Sequence, residues 1–149
     1  MLALALFAVP ILVSDWRYRR IPNIYILIIL YWVLMMRVVF GTRSITTIIL
    51  ALSVALAAVV IMRMGMGDAK LFSIIALALN LPSTWSLSLL ILCISLCAIA
   101  QIIITCACTR RVPSSIPLAF AIIFGTALYL AAGRRLSLQQ YAYALVNSW

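Results

Sequence analysis

Asp15 and Asp68 are the only side-chain carboxylates in 149 residues. An acid within apolar sequence is costly unless it is paired, hydrated or functional, so each marks a candidate site. Two carboxylates within hydrogen-bond reach do not ionise together easily. Such a pair holds one proton, leaving one member basic enough to activate water and the other able to protonate a carbonyl oxygen. That is the chemistry of an aspartic protease. Gly65 and Gly67 precede Asp68, and residues without a side chain leave the backbone open to close approach by an extended peptide. Other chemistries are poorly supplied. The chain has no histidine, and its four cysteines, Cys93, Cys97, Cys106 and Cys108, form no C-x-x-C pair. Neither a zinc site nor a Cys-His nucleophile can be built from that set, so no metal and no cofactor is expected. The cysteines read as small buried hydrophobes.

The elements that must hold the two acids follow from composition. Hydrophobic residues make up 68% of the chain and charged residues 9%, with a mean hydropathy of +1.28. Soluble domains carry roughly 25% charged residues and under half apolar. The expected fold is therefore all-α, a polytopic membrane protein with about six transmembrane helices. A formal charge of +9 would suggest a nucleic-acid partner in a soluble domain, but the eleven basic residues lie between apolar runs, as in membrane loops. No nucleic acid is expected, and lipid is.

The first apolar run, residues 1–13, would extend only about 20 Å as a helix, short of the ~30 Å hydrocarbon core. It should continue through Asp15 and Trp16, which puts Asp15 in its last turn while Arg17, Arg19 and Arg20 reach for headgroups. Pro10 should kink it. No basic segment precedes this run, so it reads as a retained helix and not a cleaved signal. Ile21-Pro22 opens a second span over about 23–40. After Gly41-Thr42-Arg43, Ser44 caps a third span ending near Met62. Residues 71–81 are too short to cross alone and should recruit Asp68 to Lys70 at their head. Asn80 and Pro82 end that span, a fifth covers about 85–108, and a sixth about 116–132. The core is thus residues 1–133. Residues 134–149 form a tail in which Ser137-Leu138-Gln139-Gln140 resembles a capping box, followed by Tyr141, Leu145 and Trp149 at helical spacing, suggesting a short amphipathic helix at the interface.

Loops after spans one, three and five carry seven basic residues and the opposite side four. The positive-inside rule makes the first set cytoplasmic and places both termini outside. Asp15 follows span one and Asp68 precedes span four, with two crossings between them. The acids therefore share one membrane face whichever way the chain is oriented.

At these residues the sequence resembles the type IV prepilin peptidases, bacterial membrane aspartic proteases of the GxGD class. The first family motif matches Asp15, Ile21, Pro22 and Asn23, and the second matches Gly65, Gly67, Asp68 and Lys70. Ile116-Pro117 looks, less closely, like a late proline-containing motif. The resemblance covers nearly the whole chain. It implies Asp15 and Asp68 as catalytic residues, with Ile21, Pro22, Asn23, Gly65, Gly67 and Lys70 as motif or positioning residues. The implied substrate is a prepilin or pseudopilin with a basic leader and a hydrophobic helix, cut at the cytoplasmic face of the bacterial inner membrane. Long members carry a cytoplasmic insertion with cysteine pairs and a methyltransferase activity, for which this chain has no room. It looks like the short, peptidase-only branch that serves tight-adherence or Flp-type pili.

The rival from another class is a small proton or ion transporter, because intramembrane aspartates also serve proton relays. A transporter calls for internal repeats or helices broken at the midplane, whereas these acids lie at helix ends on one face. A third reading is a scaffold in which Asp15 pairs with Arg17, Arg19 or Arg20. Lys70, two positions from Asp68, does not face it on a helix and suits a headgroup better. Within a dyad, the helix dipoles favour Asp68 as the ionised member, at a helix N-terminus, and Asp15 as the protonated one, at a C-terminus.

Overall fold

The protein is described here from a computed structural model. The described residues are 2–18, 21–41, 44–62, 65–109 and 118–146, without the side chains of 2–5, 16, 62, 109 and 134–146. They form six helices and no strand: α1 Leu2–Tyr18, α2 Asn23–Phe40, α3 Ile45–Met62, α4 Met66–Leu79, α5 Thr84–Thr109 and α6 Leu118–Val146.

Local chemistry accounts for most of the boundaries. Pro22, extended at φ −60° and ψ 128°, stands immediately before α2, where its missing N–H costs nothing. Gly41 closes α2 at φ +71°, its N–H donating to the Arg37 carbonyl. Ser44 caps α3, its Oγ accepting from the Thr47 N–H at 3.3 Å. Gly65 opens α4, its carbonyl accepting from Asp68 and Ala69 N–H at 3.0 and 3.1 Å. Asn80, left-handed at φ 50° and ψ 52°, closes it. Ser83 caps α5 by accepting from the Ser86 N–H. Helix α1 runs unbroken through Pro10 and reaches Asp15, as its apolar length requires.

Helix α4 is the shortest element and the innermost. It packs against α2, α3 and α6, while α5 pairs chiefly with α6, and α1 leans on α2 and α6. Ala69, Leu71, Phe72, Ile74, Ile75 and Ala76 of α4 are all buried. All of these but Ala69 join Ile11 of α1, Ile29 of α2, Leu87 and Leu90 of α5 and Ile122 of α6 in one core.

The structure bears on two expectations. First, among the described residues only α2 and α5 contain segments long and apolar enough to cross a membrane, Asn23–Phe40 and Thr84–Cys108. Only 17% and 11% of those windows are buried, so most of their side chains face outward and a minority reach the core. The apolar stretches Leu6–Asp15, Ile45–Ile61 and Leu118–Gly133 are shorter. Helix α4, with 14 residues, runs about 21 Å, less than the ~30 Å core. Second, α6 continues without a break to Val146, so the backbone over Ser137 is helix interior and not the start of a separate helix. Good helix formers flank Gly133, whose cost of ~1 kcal/mol is too small to interrupt them.

Candidate active site

Asp15 lies in the last turn of α1 and is 7% exposed, beside Ser14 at 8%. These two share the inward face of α1 with Ile11, three and four residues earlier. Asp68 lies in the first turn of α4 and is half-buried, ahead of the apolar run of that helix. Burial, and then the charge of Asp15, raise the pKa of Asp68 from 3.8 to about 6. That coupling brings the two acids of the sequence together: an inward carboxylate at the C-terminal end of one helix acts on a half-open carboxylate at the N-terminal end of another.

The surrounding motif residues have distinct tasks. A Cβ on Gly65 would stand 3.1 Å from Asp68 Oδ2, so a bare backbone lets the carboxylate fold over the helix start. At Gly67 a Cβ would meet Ile21 Cβ at 3.5 Å, ordinary contact, and this is where the two sequence motifs touch. They touch again where Lys70 Nζ donates to Asn23 Oδ1 at 3.4 Å, a long and exposed bond. Pro22 contributes its carbonyl to the Tyr25 N–H and so sets the start of α2. Ile21, Pro22, Asn23, Gly65, Gly67 and Lys70 therefore form a connected collar around the heads of α2 and α4. Arg17 is exposed, with its guanidinium 5.6 Å from the centre of the Tyr18 ring. Arg19, Arg20 and Ile116-Pro117 lie outside the described residues.

Two residues that sequence reasoning passed over matter to the packing, Arg37 at the end of α4 and Gly125 between α5 and α6. Arg37, from α2, donates through Nε to the Leu77 carbonyl at 3.0 Å and through a terminal nitrogen to the Ala78 carbonyl at 2.7 Å. A cation thus satisfies the open carbonyls at the end of α4 opposite Asp68. A lone arginine inside an apolar run was the available signal. Gly125 lies where α6 crosses α5 so closely that a Cβ would stand 2.6 Å from Ile94 Cα. Its signal was the small-x-x-x-small pair Ala121 and Gly125.

Among the described residues no three His, Cys, Asp or Glu side chains cluster as metal ligands, and the four cysteines form no disulfide. The chain matches the type IV leader peptidase family over residues 2–104. It belongs to that family. The match takes in both aspartates and the whole collar but ends within α5, so the family likeness covers less of the chain than the motifs suggested, and α6 lies outside it. No curated protein and no solved structure matches the chain. Membership of the type IV leader peptidase family makes it a peptidase and implies prepilin-type substrates.

Proposed function

We propose that this leader peptidase is an aspartic endopeptidase using Asp15 and Asp68 on one water. The supporting observation is the electrostatic coupling of a buried carboxylate to a half-open one at the head of the innermost helix. Asp68, at a helix N-terminus and reachable by solvent, takes a proton from water as the hydroxide attacks the scissile carbonyl carbon. Asp15, at a helix C-terminus and shielded, gives its proton to the carbonyl oxygen. Collapse of the tetrahedral species breaks the C–N bond: the leaving amine takes the proton that Asp68 had acquired, and a hydroxyl of the gem-diol returns its proton to Asp15 as the new carboxyl group forms. The collar keeps both helix heads in register for this exchange.

In this proposal all six helices belong to a bacterial inner-membrane bundle, with the dyad at the cytoplasmic face. The outward apolar faces of α2 and α5 and the arginine-rich ends support that placement. The substrate is a prepilin or pseudopilin whose basic leader is removed ahead of its hydrophobic helix. The branch is the peptidase-only, Flp-type one. No metal or other cofactor takes part, and the tail from residue 134 lies at the interface, with 134–146 as the outer part of α6.

The test is cleavage of a prepilin by Asp15→Asn and Asp68→Asn. With only two side-chain carboxylates in the chain, nothing else can substitute. Each variant should insert at wild-type level and lose processing by at least about 10³-fold. Normal processing by either one would sink the dyad.

A further inference from the structure

The face of α4 turned away from Asp68 borders an apolar groove of about 610 Å³ between α2, α3 and α4. Met66, Lys70 and Ile74, with Ala69 and Ser73, form one helical stripe along its wall. A smaller cavity of about 110 Å³ shares Leu30, Leu52, Ser73 and Ile74 with it and carries the seam on to Leu77. From Met66 to Leu77 the seam is about 17 Å long at ~1.5 Å per residue. One leaflet of a ~30 Å hydrocarbon core is about 15 Å deep.

The head of the seam is its charged part, while Ser73 farther along it turns its hydroxyl to the Ala69 carbonyl. Lys70 Nζ and the Asn23 amide stand there, 3.4 Å apart, and both are exposed. The chain has two carboxylates, and neither serves Lys70: Asp15 is buried on α1, and Asp68 points to another face of α4. The ammonium therefore takes its counter-ion from outside the protein. From these observations we infer that the groove between α2, α3 and α4 is a slot for one anionic phospholipid, with its phosphate on Lys70 and Asn23 and an acyl chain lying along α4.

Charge and position both select this occupant. A substrate helix seated here would lie on the wrong side of α4 for the carboxylates. A basic leader would be repelled by Lys70, whereas an anionic headgroup is drawn to it. The inference rests on membrane insertion and is independent of the dyad.

Lipid retention by the full-length protein in detergent, read by native mass spectrometry, separates the possibilities. Delipidated protein is titrated with phosphatidylglycerol and with phosphatidylcholine of the same acyl chains. One phosphatidylglycerol should be held in preference. Lys70→Gln should weaken that binding about fivefold and level the preference, while Lys70→Arg keeps it. Leu56→Trp, on a wall residue already 66% exposed, fills the slot without a buried clash and should reduce uptake of both lipids. Equal binding of the two lipids by the wild type, or unchanged phosphatidylglycerol binding in Lys70→Gln, overturns the inference. A photoreactive residue at Leu56 in native membranes should crosslink lipid; capture of a polypeptide there instead would make the groove a substrate site. Each reading is repeated in Asp68→Asn, where cleavage plays no part, so failure of the protease proposal leaves the lipid result interpretable.

Discussion

Asp68 owes its behaviour to two neighbours of different kinds, apolar surroundings and a second acid. Together they lift its pKa from 3.8 to about 6. A raised carboxylate pKa means that the folded state holds the proton more tightly than the unfolded chain does. The stability this group contributes is therefore full below 3.8 and lost as pH rises through about 6. Partial exposure limits the effect to on the order of 1 kcal/mol. Asp68→Asn removes the titration, so its melting temperature in detergent should exceed that of the wild type by a few degrees above about pH 6 and converge with it below 3.8. Parallel pH curves for the two proteins would show that Asp68 is not shifted. Catalysis needs one proton shared by the pair, so kcat/KM for leader cleavage should be bell-shaped and fall as pH climbs through about 6, where the second carboxylate ionises. The two glycines separate cleanly at this scale. Gly65→Ala puts a Cβ 3.1 Å from Asp68 Oδ2, so the carboxylate must move by a few tenths of an ångström. Such a shift in a catalytic group should lower cleavage about tenfold. Gly67→Ala meets Ile21 at an ordinary 3.5 Å and should leave cleavage within about threefold. Equal losses in both variants would mean that the space around Asp68 is not what Gly65 provides.

Among the elements, α4 carries the site, and the others fix its two ends. The collar holds its N-terminus to the start of α2 through Gly67 with Ile21 and Lys70 with Asn23. Arg37 holds its C-terminus to the other end of α2. One helix thus braces both ends of the other, and the carboxylate at the head of α4 inherits that rigidity. Helix α6 supplies the back wall, with Ala119, Ala121 and Ile122 fully buried. It reaches α5 only because Gly125 has no side chain, since a Cβ there would lie 2.6 Å from Ile94 Cα and 2.8 Å from its backbone nitrogen. Backbone does not yield as a side chain tip does, so Gly125→Val must push the helices apart and should cost at least about 1–3 kcal/mol. A fall in melting temperature with a proportionate loss of folded protein is expected. The smaller Gly125→Ala should fall between it and the wild type. A Gly125→Val protein as stable as the wild type would place the close crossing elsewhere.

At the scale of the whole molecule, the site was more legible in the sequence than the architecture. With two acids in the entire chain, Asp15 and Asp68 had no competitors, and the turn residues Pro22, Gly41, Ser44, Asn80 and Pro82 marked the helix ends by their own chemistry. Arg37 was counted as a loop charge because its partners, the Leu77 and Ala78 carbonyls, are backbone atoms some forty positions away that no side-chain pattern reveals. The extension of α6 past Gly133 was hidden for a similar reason: residues 134–146 carry both turn-like and helix-like signals, and helix propensity prevailed. The parity of crossings, by contrast, needs only α2 and α3. Both acids lie outside that pair of helices, one before α2 and one after α3, so in the proposed six-helix bundle two passages return the chain to the face it left. This is testable with single cysteines in a variant whose four native cysteines are serine. In intact cells, an impermeant maleimide should miss Tyr18→Cys and Met66→Cys, which are 65% and 66% exposed in the fold, and should label Ser44→Cys beyond α2. Permeabilised cells should label all three. Ser83→Cys then reports on α4 itself: labelling from outside means that this short helix, with its loops, carries the chain across, and protection means that it turns back within the bilayer. Opposite accessibility of Tyr18→Cys and Met66→Cys would put the carboxylates on different faces, and no dyad could then form.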